Sequence, residues 1–268
     1  MNLVIQGPSL TESQARKLGP AERISDRAWR IRGATSVDSG YCEANRIDHA
    51  LVPEGRRFAD LKLVAMDMDS TLITMETIDE LGDLVGRKPE IAAITARAMR
   101  GEIDYPESLR QRVSLLKGLP ESGLLEIYET RLKLTNGAEA LLAACRKHGV
   151  KTLLVSGGFT FFVERLKDRL GIDYSVSNVL ESKSGKLTGG LVGEIVDAEG
   201  KAAKFRSVMK DLKAGKGESV AIGDGANDLK MMAEAGVSVA FHAKPVVRAQ
   251  ASCALTWSGL DGVLNLFE

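Results

Sequence analysis

The stretch KLVAMDMDSTLITMET, from Lys62 to Thr77, runs apolar and then sets two carboxylates, Asp67 and Asp69, directly at the end of the run. Charge is costly to bury unless a partner, a metal or water replaces the lost hydration. A buried strand that finishes in two acids therefore requires a companion for them. Two further runs end in comparable groups: KTLLVS leads into Ser156, Gly157 and Gly158, and ESVAIG leads into Asp224, Gly225, Asn227 and Asp228. In an open parallel sheet, the residues just past the strand ends share one crevice. Asp67, Asp69, Thr71, Ser156, Asp224 and Asp228 are thus expected at one rim.

Taken singly, each group has an ordinary reading as a solvated turn, a loop or a helix cap. Taken together they do not, because clustered carboxylates repel one another unless a cation joins them, and an all-oxygen donor set suits Mg2+. Mg2+ is commonly shared with a phosphate, and Ser156 beside two glycines offers a hydroxyl and unobstructed N–H groups to phosphate oxygens. An anionic nucleophile meets a phosphate against repulsion of about 4 kcal/mol per pair of unit charges about 4 Å apart at an effective dielectric of about 20. A lysine is needed to offset it. Lys201, opening the helical pattern DAEGKAAKFRSV, is the candidate, with Lys204 as its competitor.

The elements that must carry these groups follow from pattern. The runs LKLVAM, KTLLVS, ESVAIGD and VSVAF alternate with helical stretches, which predicts a doubly wound, Rossmann-like α/β fold with a parallel sheet. Leu141 with Cys145, and Phe162, Leu166 and Leu170, mark helix stripes that cover it. The chain between the first two runs is far longer than one crossover helix needs. Its apolar spacing, with Ile78, Leu81 and Val85 and then Leu109, Val113 and Leu116, predicts an inserted helical cap over 74–133, leaving the core as 61–73 and 134–268. YSVSNVLESKSGKLTGGLVGEIV alternates around a turn-rich centre and reads as a β-hairpin. Residues 1–60 read as a small α+β region, with strands at NLVIQG and AWRIRG, a helix at SLTESQARKLG and a linker at LVPEGRRFAD.

Composition narrows the partners. Lys plus Arg and Asp plus Glu both total 36, so no net field draws the chain to nucleic acid or an acidic membrane. The N-terminus lacks a signal-peptide pattern and no run approaches a spanning length, so a cytoplasmic location is expected. Three cysteines and three histidines lie far apart, which argues against zinc and disulfides and for buried structural thiols. Nothing in the sequence decides between a monomer and a homodimer.

With these residues placed, the chain resembles the haloacid dehalogenase superfamily, whose phosphatases carry DxDx[TV], a later Ser or Thr, a Lys and an acidic GDxxxD. Here these read Asp67-Met-Asp69-Ser-Thr71, Ser156, Lys201 and Gly223-Asp224-Gly-Ala-Asn227-Asp228. It is similar, within that superfamily, to the phosphoserine phosphatase family through DMDSTLITMETIDELG, SLRQRVSLLKGLP, VSGGFT and AIGDGANDLKMM. The resemblance implies Asp67 as nucleophile, Asp69 as acid/base and Thr71 as a support of the loop. It implies Ser156, Gly157 and Lys201 on phosphoryl oxygens, and Mg2+ bound by Asp67, the Asp69 carbonyl and Asp224 with Asp228 supporting. The implied substrate is O-phospho-L-serine, hydrolysed in the last step of serine biosynthesis. It would be met by Glu76, Met99, Tyr105, Arg112, Gly158 and Asn227. On the helical pattern Arg112 shares a stripe with Tyr105 and Ser108, whereas Arg110 points elsewhere. Thr77 and Glu80 are expected to form a capping box that leaves Glu76 free. A same-fold phosphotransferase, passing the phosphoryl group to an alcohol such as homoserine, is the alternative within enzymes. A phospho-accepting signalling module is the alternative outside them; the acid/base Asp69 and the large cap argue against it.

Overall fold

The computed structural model describes residues 1–268. Its N-terminal sheet, of order β2-β3-β1-β4, is antiparallel and comprises β1 (Asn2–Gln6), β2 (Ala21–Ser25), β3 (Ala28–Ile31) and β4 (Asp48–Val52). Side chains alternate across a strand, so Leu3, Ile5, Trp29 and Ile31 share one face and bury it with Ala15 of α1 (Glu12–Lys17) and Cys42 of α2 (Ser39–Ala44). The other face lies on the C-terminal part of the chain and is mixed, with buried Val4, Ala28 and Ala50 beside Gln6, Arg30 and Asp48. Gln6 donates to Gly262 O at 3.0 Å and accepts from Asn265 at 2.7 Å. Arg30 donates to the carbonyls of Asn265 and Phe267 at 3.1 and 2.6 Å. The Asp48 carboxylate accepts the N–H groups of Thr256, Trp257 and Ser258 at 2.6, 3.1 and 2.8 Å.

The second sheet comprises β5 (Leu63–Met66), β6 (Lys151–Phe159), β7 (Tyr174–Lys183), β8 (Lys186–Val192), β9 (Ser219–Gly223), β10 (Val237–Phe241) and β11 (Cys253–Leu255). Its order is β11-β10-β9-β5-β6-β7-β8, parallel except for β8. The strand carrying Asp67 is therefore interior, with β9 and β6 on either side of it. β5 is buried on both faces, and its pleat divides the core. Val64 and Met66 pack with Leu141, Cys145, Phe162 and Leu166, and Leu63 and Ala65 pack with Phe205, Val208 and Met231. That two-sided cover is the doubly wound arrangement expected from the sequence.

Between β5 and β6 stand α3 (Thr77–Leu84), α4 (Lys88–Met99), α5 (Tyr105–Ser114) and α6 (Glu121–Thr130). The chain leaves and re-enters side by side, since Ile73 bridges Leu134 and Thr74 N donates to Lys133 O at 3.0 Å. Ile78, Leu81, Leu109, Val113 and Leu116 are all buried. Around the sheet run α7 (Ala138–His148), α8 (Thr160–Leu170), α9 (Ala198–Asp211), α10 (Leu229–Glu234) and α11 (Pro245–Arg248). Gly149, the expected stop of α7, takes φ 70° at its C-cap.

Three features depart from the sequence reading. The segment read as one hairpin has two partners: Tyr174 to Val176 pair in parallel with β6, and the antiparallel pairing with β8 begins at Val179. Alternation is the same for both partners, so it cannot tell them apart. Of the stretch read as a linker, Leu51 and Val52 belong to β4, and Phe58 is buried edge-on against His148 and Phe267. β2 and β11 were not anticipated. One is a charged edge strand, AERIS, and the other only three residues long.

Candidate active site

The floor of the site is built by strand ends. Asp67 follows β5 directly, and the chain then turns through Met68–Leu72 with Ser70 left-handed at φ 56°. Such a φ is uncommon for a residue with a side chain. Here Ser70 N donates to Met75 O at 3.2 Å and Ser70 Oγ to Glu76 Oε1 at 2.7 Å, which holds it. The turn wraps Asp67: Met68 N donates to its Oδ1 at 2.7 Å and Leu72 N to its carbonyl at 3.3 Å.

Lys201, and not Lys204, reaches this floor. Its Nζ lies 2.9 Å from Asp67 Oδ1 and 2.7 Å from Asp228 Oδ1, and all three residues are at most 5% exposed. Burial works against the ammonium, but the two carboxylates outweigh it and raise its pKa. Asp67 and Asp228 share this one buried cation, while Asp69 and Asp224 line the cleft above it without touching it. Burial pushes Asp67 well above the usual carboxylate range, with Asp228 adding to the shift and Lys201 opposing it. Asp224 rises to about 6 through burial and then Asp228. Such a cluster is short of positive charge. Oxygens of Asp67, Asp224 and Asp228 lie within 4.8 Å of one another, a hard-donor set of the size a divalent cation spans. Asp228 is the most committed of the three, its oxygens already accepting from Lys201 and from Gly225 N at 3.1 Å. Asp224 accepts only a long 3.4 Å bond from Thr71, so it is freer to bind a metal.

Asp69 stands apart from this cluster. Its Oδ1 accepts Thr77 N at 2.8 Å, and its pKa rises to about 7 through burial and then the Glu76 charge. It can therefore hold or release a proton near neutrality. Ser156 is fully buried within the C-terminal half of β6, and its Oγ accepts Gly158 N at 2.8 Å. Gly157 and Gly158 have no room for a side chain. A Cβ on Gly157 would strike the Tyr105 hydroxyl, and one on Gly158 would sit 2.6 Å from Asp69 Oδ2.

A cleft of about 440 Å³ stands over the floor, lined by Asp67, Asp69, Gly157, Gly158, Asp224 and Asn227 from below and by Glu76, Met99, Tyr105 and Arg112 from above. The residues expected around the substrate's serine part, Glu76, Met99, Tyr105, Arg112, Gly158 and Asn227, thus face one space, whereas Ser156 and Lys201, expected on its phosphate, do not line it. Ser156, Lys201, Asp228 and Thr71 lie beneath it as buried supports. Tyr105 is more than an apolar cover, since its hydroxyl donates to Gly157 O at 3.0 Å. The expected capping box is absent. Thr77 is the first residue of α3 with Glu76 at the N-cap, the Thr77 N–H is taken by Asp69, and Glu80 is drawn to Arg131 at 2.7 Å. Glu76 nonetheless stays exposed at the rim, as expected on other grounds.

Two residues were missed. Lys244 lines the cleft and follows the carboxyl end of β10, so the strand-end rule carried to the fourth run would have found it. Asn178 donates to Gly157 O at 2.8 Å from within β7, and no local signal marks it.

Residues 64–233 match the family model described as haloacid dehalogenase-like hydrolase. A phosphoserine phosphatase of Polaromonas sp. is 55% identical over 217 residues, covering 79% of this chain and 92% of that protein. The crystal structure of a probable phosphoserine phosphatase from Vibrio cholerae, unliganded, superposes with a TM-score of 0.86 at 38% identity, covering 99% of this chain and 85% of the other. A substrate-bound phosphoserine phosphatase complex superposes with a TM-score of 0.73 at 37% identity, over 78% of this chain and 99% of that one.

Proposed function

The chain belongs to the haloacid dehalogenase-like hydrolases, and from that membership we propose that it hydrolyses O-phospho-L-serine to serine and phosphate, closing the synthesis of serine. The observation that carries the reading is the pairing of two halves in one cleft. Below are an acid cluster with a buried lysine, and above are Arg112 and Glu76, one group for a carboxylate and one for an ammonium.

Asp67 Oδ2 accepts no hydrogen bond from the protein, whereas Oδ1 is held by Met68 N and Lys201. In the proposed first step Oδ2 bonds to phosphorus as the bond from phosphorus to the serine oxygen breaks, and Asp69 gives that oxygen its proton. In the second, water bonds to phosphorus, Asp69 takes the water's proton, and the acyl phosphate on Asp67 breaks to release phosphate. Ser156, Gly157 and Lys201 hold the phosphoryl oxygens, and Thr71 steadies the loop and Asp224. Arg112 can clasp the substrate carboxylate through two parallel hydrogen bonds, Glu76 meets its ammonium, and Met99, Tyr105, Gly158 and Asn227 surround the rest. Asp67, Asp224 and the Asp69 carbonyl, with Asp228 in support, would hold a Mg2+ ion, which when bound would supply the positive charge that Lys201 alone does not. The inserted helices 74–133 serve as the cap over a core of 61–73 and 134–268, beside the N-terminal region 1–60.

The test is a panel of phosphorylated amino acids and sugar phosphates, assayed for phosphate release with Mg2+ and with EDTA, with serine and homoserine offered as acceptors. Phosphoserine should lead the panel, EDTA should silence the activity and Mg2+ restore it. A preference for a sugar phosphate, full activity in chelator, or transfer exceeding hydrolysis would each overturn the reading.

A further inference from the structure

The sheet has one break beside the site. From Val155↔Val176 the β6–β7 pairing resumes only at Phe159↔Asn178, so β6 advances four residues while β7 advances two. Ser156, Gly157 and Gly158 thus stand opposite Ser177 alone and form a bulge with two extra residues. A bulge leaves ladder groups unpaired, and the Gly157 carbonyl is among them. Asn178, 2% exposed, meets that need from the core side with its side chain, donating Nδ2 to Gly157 O at 2.8 Å, while the Tyr105 hydroxyl donates to the same oxygen from the cap at 3.0 Å. The same carboxamide turns its oxygen the other way, where Oδ1 accepts Val196 N at 2.8 Å. Val196 immediately precedes Asp197, the N-cap of α9, whose carbonyl accepts Lys201 N at 2.9 Å. One buried side chain therefore joins the bulge that carries Ser156 to the start of the helix that carries Lys201.

We propose that Asn178 is a positioning residue that sets the spacing between the Ser156–Gly158 bulge and Lys201, and hence the fit of the site to a phosphoryl group in transfer. The inference rests on the phosphatase reading above. A carboxamide suits the place because it offers a donor on one branch and an acceptor on the other without a charge. Aspartate keeps the acceptor for Val196 N but sets a carboxylate oxygen against the Gly157 carbonyl. Serine is too short to span both partners. Displacement by about 1 Å in such a site costs on the order of 100-fold in rate.

The test compares wild type with Asn178→Asp and Asn178→Ser, measuring inhibition constants for inorganic phosphate and for orthovanadate, a mimic of five-coordinate phosphorus, alongside the KM for phosphoserine. Inhibition constants do not depend on how much of a preparation is folded, so a merely structural role leaves them unmoved. We expect vanadate to weaken by about 100-fold in both variants, while phosphate and the KM shift by less than about threefold. If Asn178→Asp fails to fold, the Asn178→Ser ratio alone decides. An unchanged ratio of vanadate to phosphate affinity in an active variant overturns the proposal and leaves the phosphatase reading standing. A wild type with no action on any phosphate monoester overturns both.

Discussion

The floor and the roof of the cleft are made of the same kinds of charged residue and are built in opposite ways. On the floor Asp67, Asp228 and Lys201 are nearly sealed from solvent and paired to one another at 2.7 to 2.9 Å. On the roof Glu76 is exposed, Met99 is 64% exposed and Arg112 is part-buried, held by little more than a 3.3 Å bond from its Nε to Ser108 O. On the reading proposed above, the chemistry common to any phosphate monoester falls to strand ends that cannot move without opening the core. On that same reading, recognition of one particular ester falls to helices that the chain enters and leaves beside the bridge from Ile73 to Leu134. The contrast implies that floor substitutions strike turnover and stability together, and that substitutions of the roof's charged groups, Glu76 and Arg112, strike the choice of substrate.

The largest effect expected is that of Asp67→Asn, a loss of about 10⁴-fold or more in turnover, with no phosphoenzyme trapped by acid quench. Wild-type phosphate release from this variant would remove Asp67 as nucleophile. Next comes Lys201→Met, which leaves two buried carboxylates without their cation and should lower unfolding free energy by about 3–5 kcal/mol, read by denaturant titration. A variant as stable as wild type would erase the contrast in construction. On the roof, Arg112→Ala and Glu76→Gln should each raise the KM for phosphoserine by about 10- to 100-fold, the range for a lost charge-assisted bond, and spare p-nitrophenyl phosphate, which has neither charged group. Equal losses on both substrates would place these residues in the chemistry. Smallest is Tyr105→Phe, which removes the roof's one hydrogen bond to Gly157 O and should cost about three- to tenfold on both substrates.

How far the sequence reached follows the same line. Asp67, Asp69, Ser156 and Asp224 were legible because each sits just past a recognisable apolar run, and a parallel sheet brings such positions together whatever its strand order. Lys201 was legible as a need for charge, but only burial separates it from Lys204. What stayed hidden depends on contacts between distant residues. Thr77 N reaches Asp69, the Tyr105 hydroxyl reaches Gly157 and Asn178 reaches both Gly157 and Val196. Local periodicity carries no trace of these. The capping box failed for that reason: its pattern was present, but Asp69 and Arg131 competed for the two groups and won.

The N-terminal sheet meets the rest of the molecule through Gln6, Arg30 and Asp48, each bonded to main-chain groups near the C-terminus of the chain. Main-chain carbonyls and amides are a generic mating surface, present in any sequence, and water can take over every one of those bonds if the sheet is lifted away. Beside those bonds, Ala50 and Val52 of β4 join the apolar core under the larger sheet, so the seam is part snap fastener and part weld: its polar half stays wettable, and its apolar half would be left as a small adhesive patch if the sheet were lifted away.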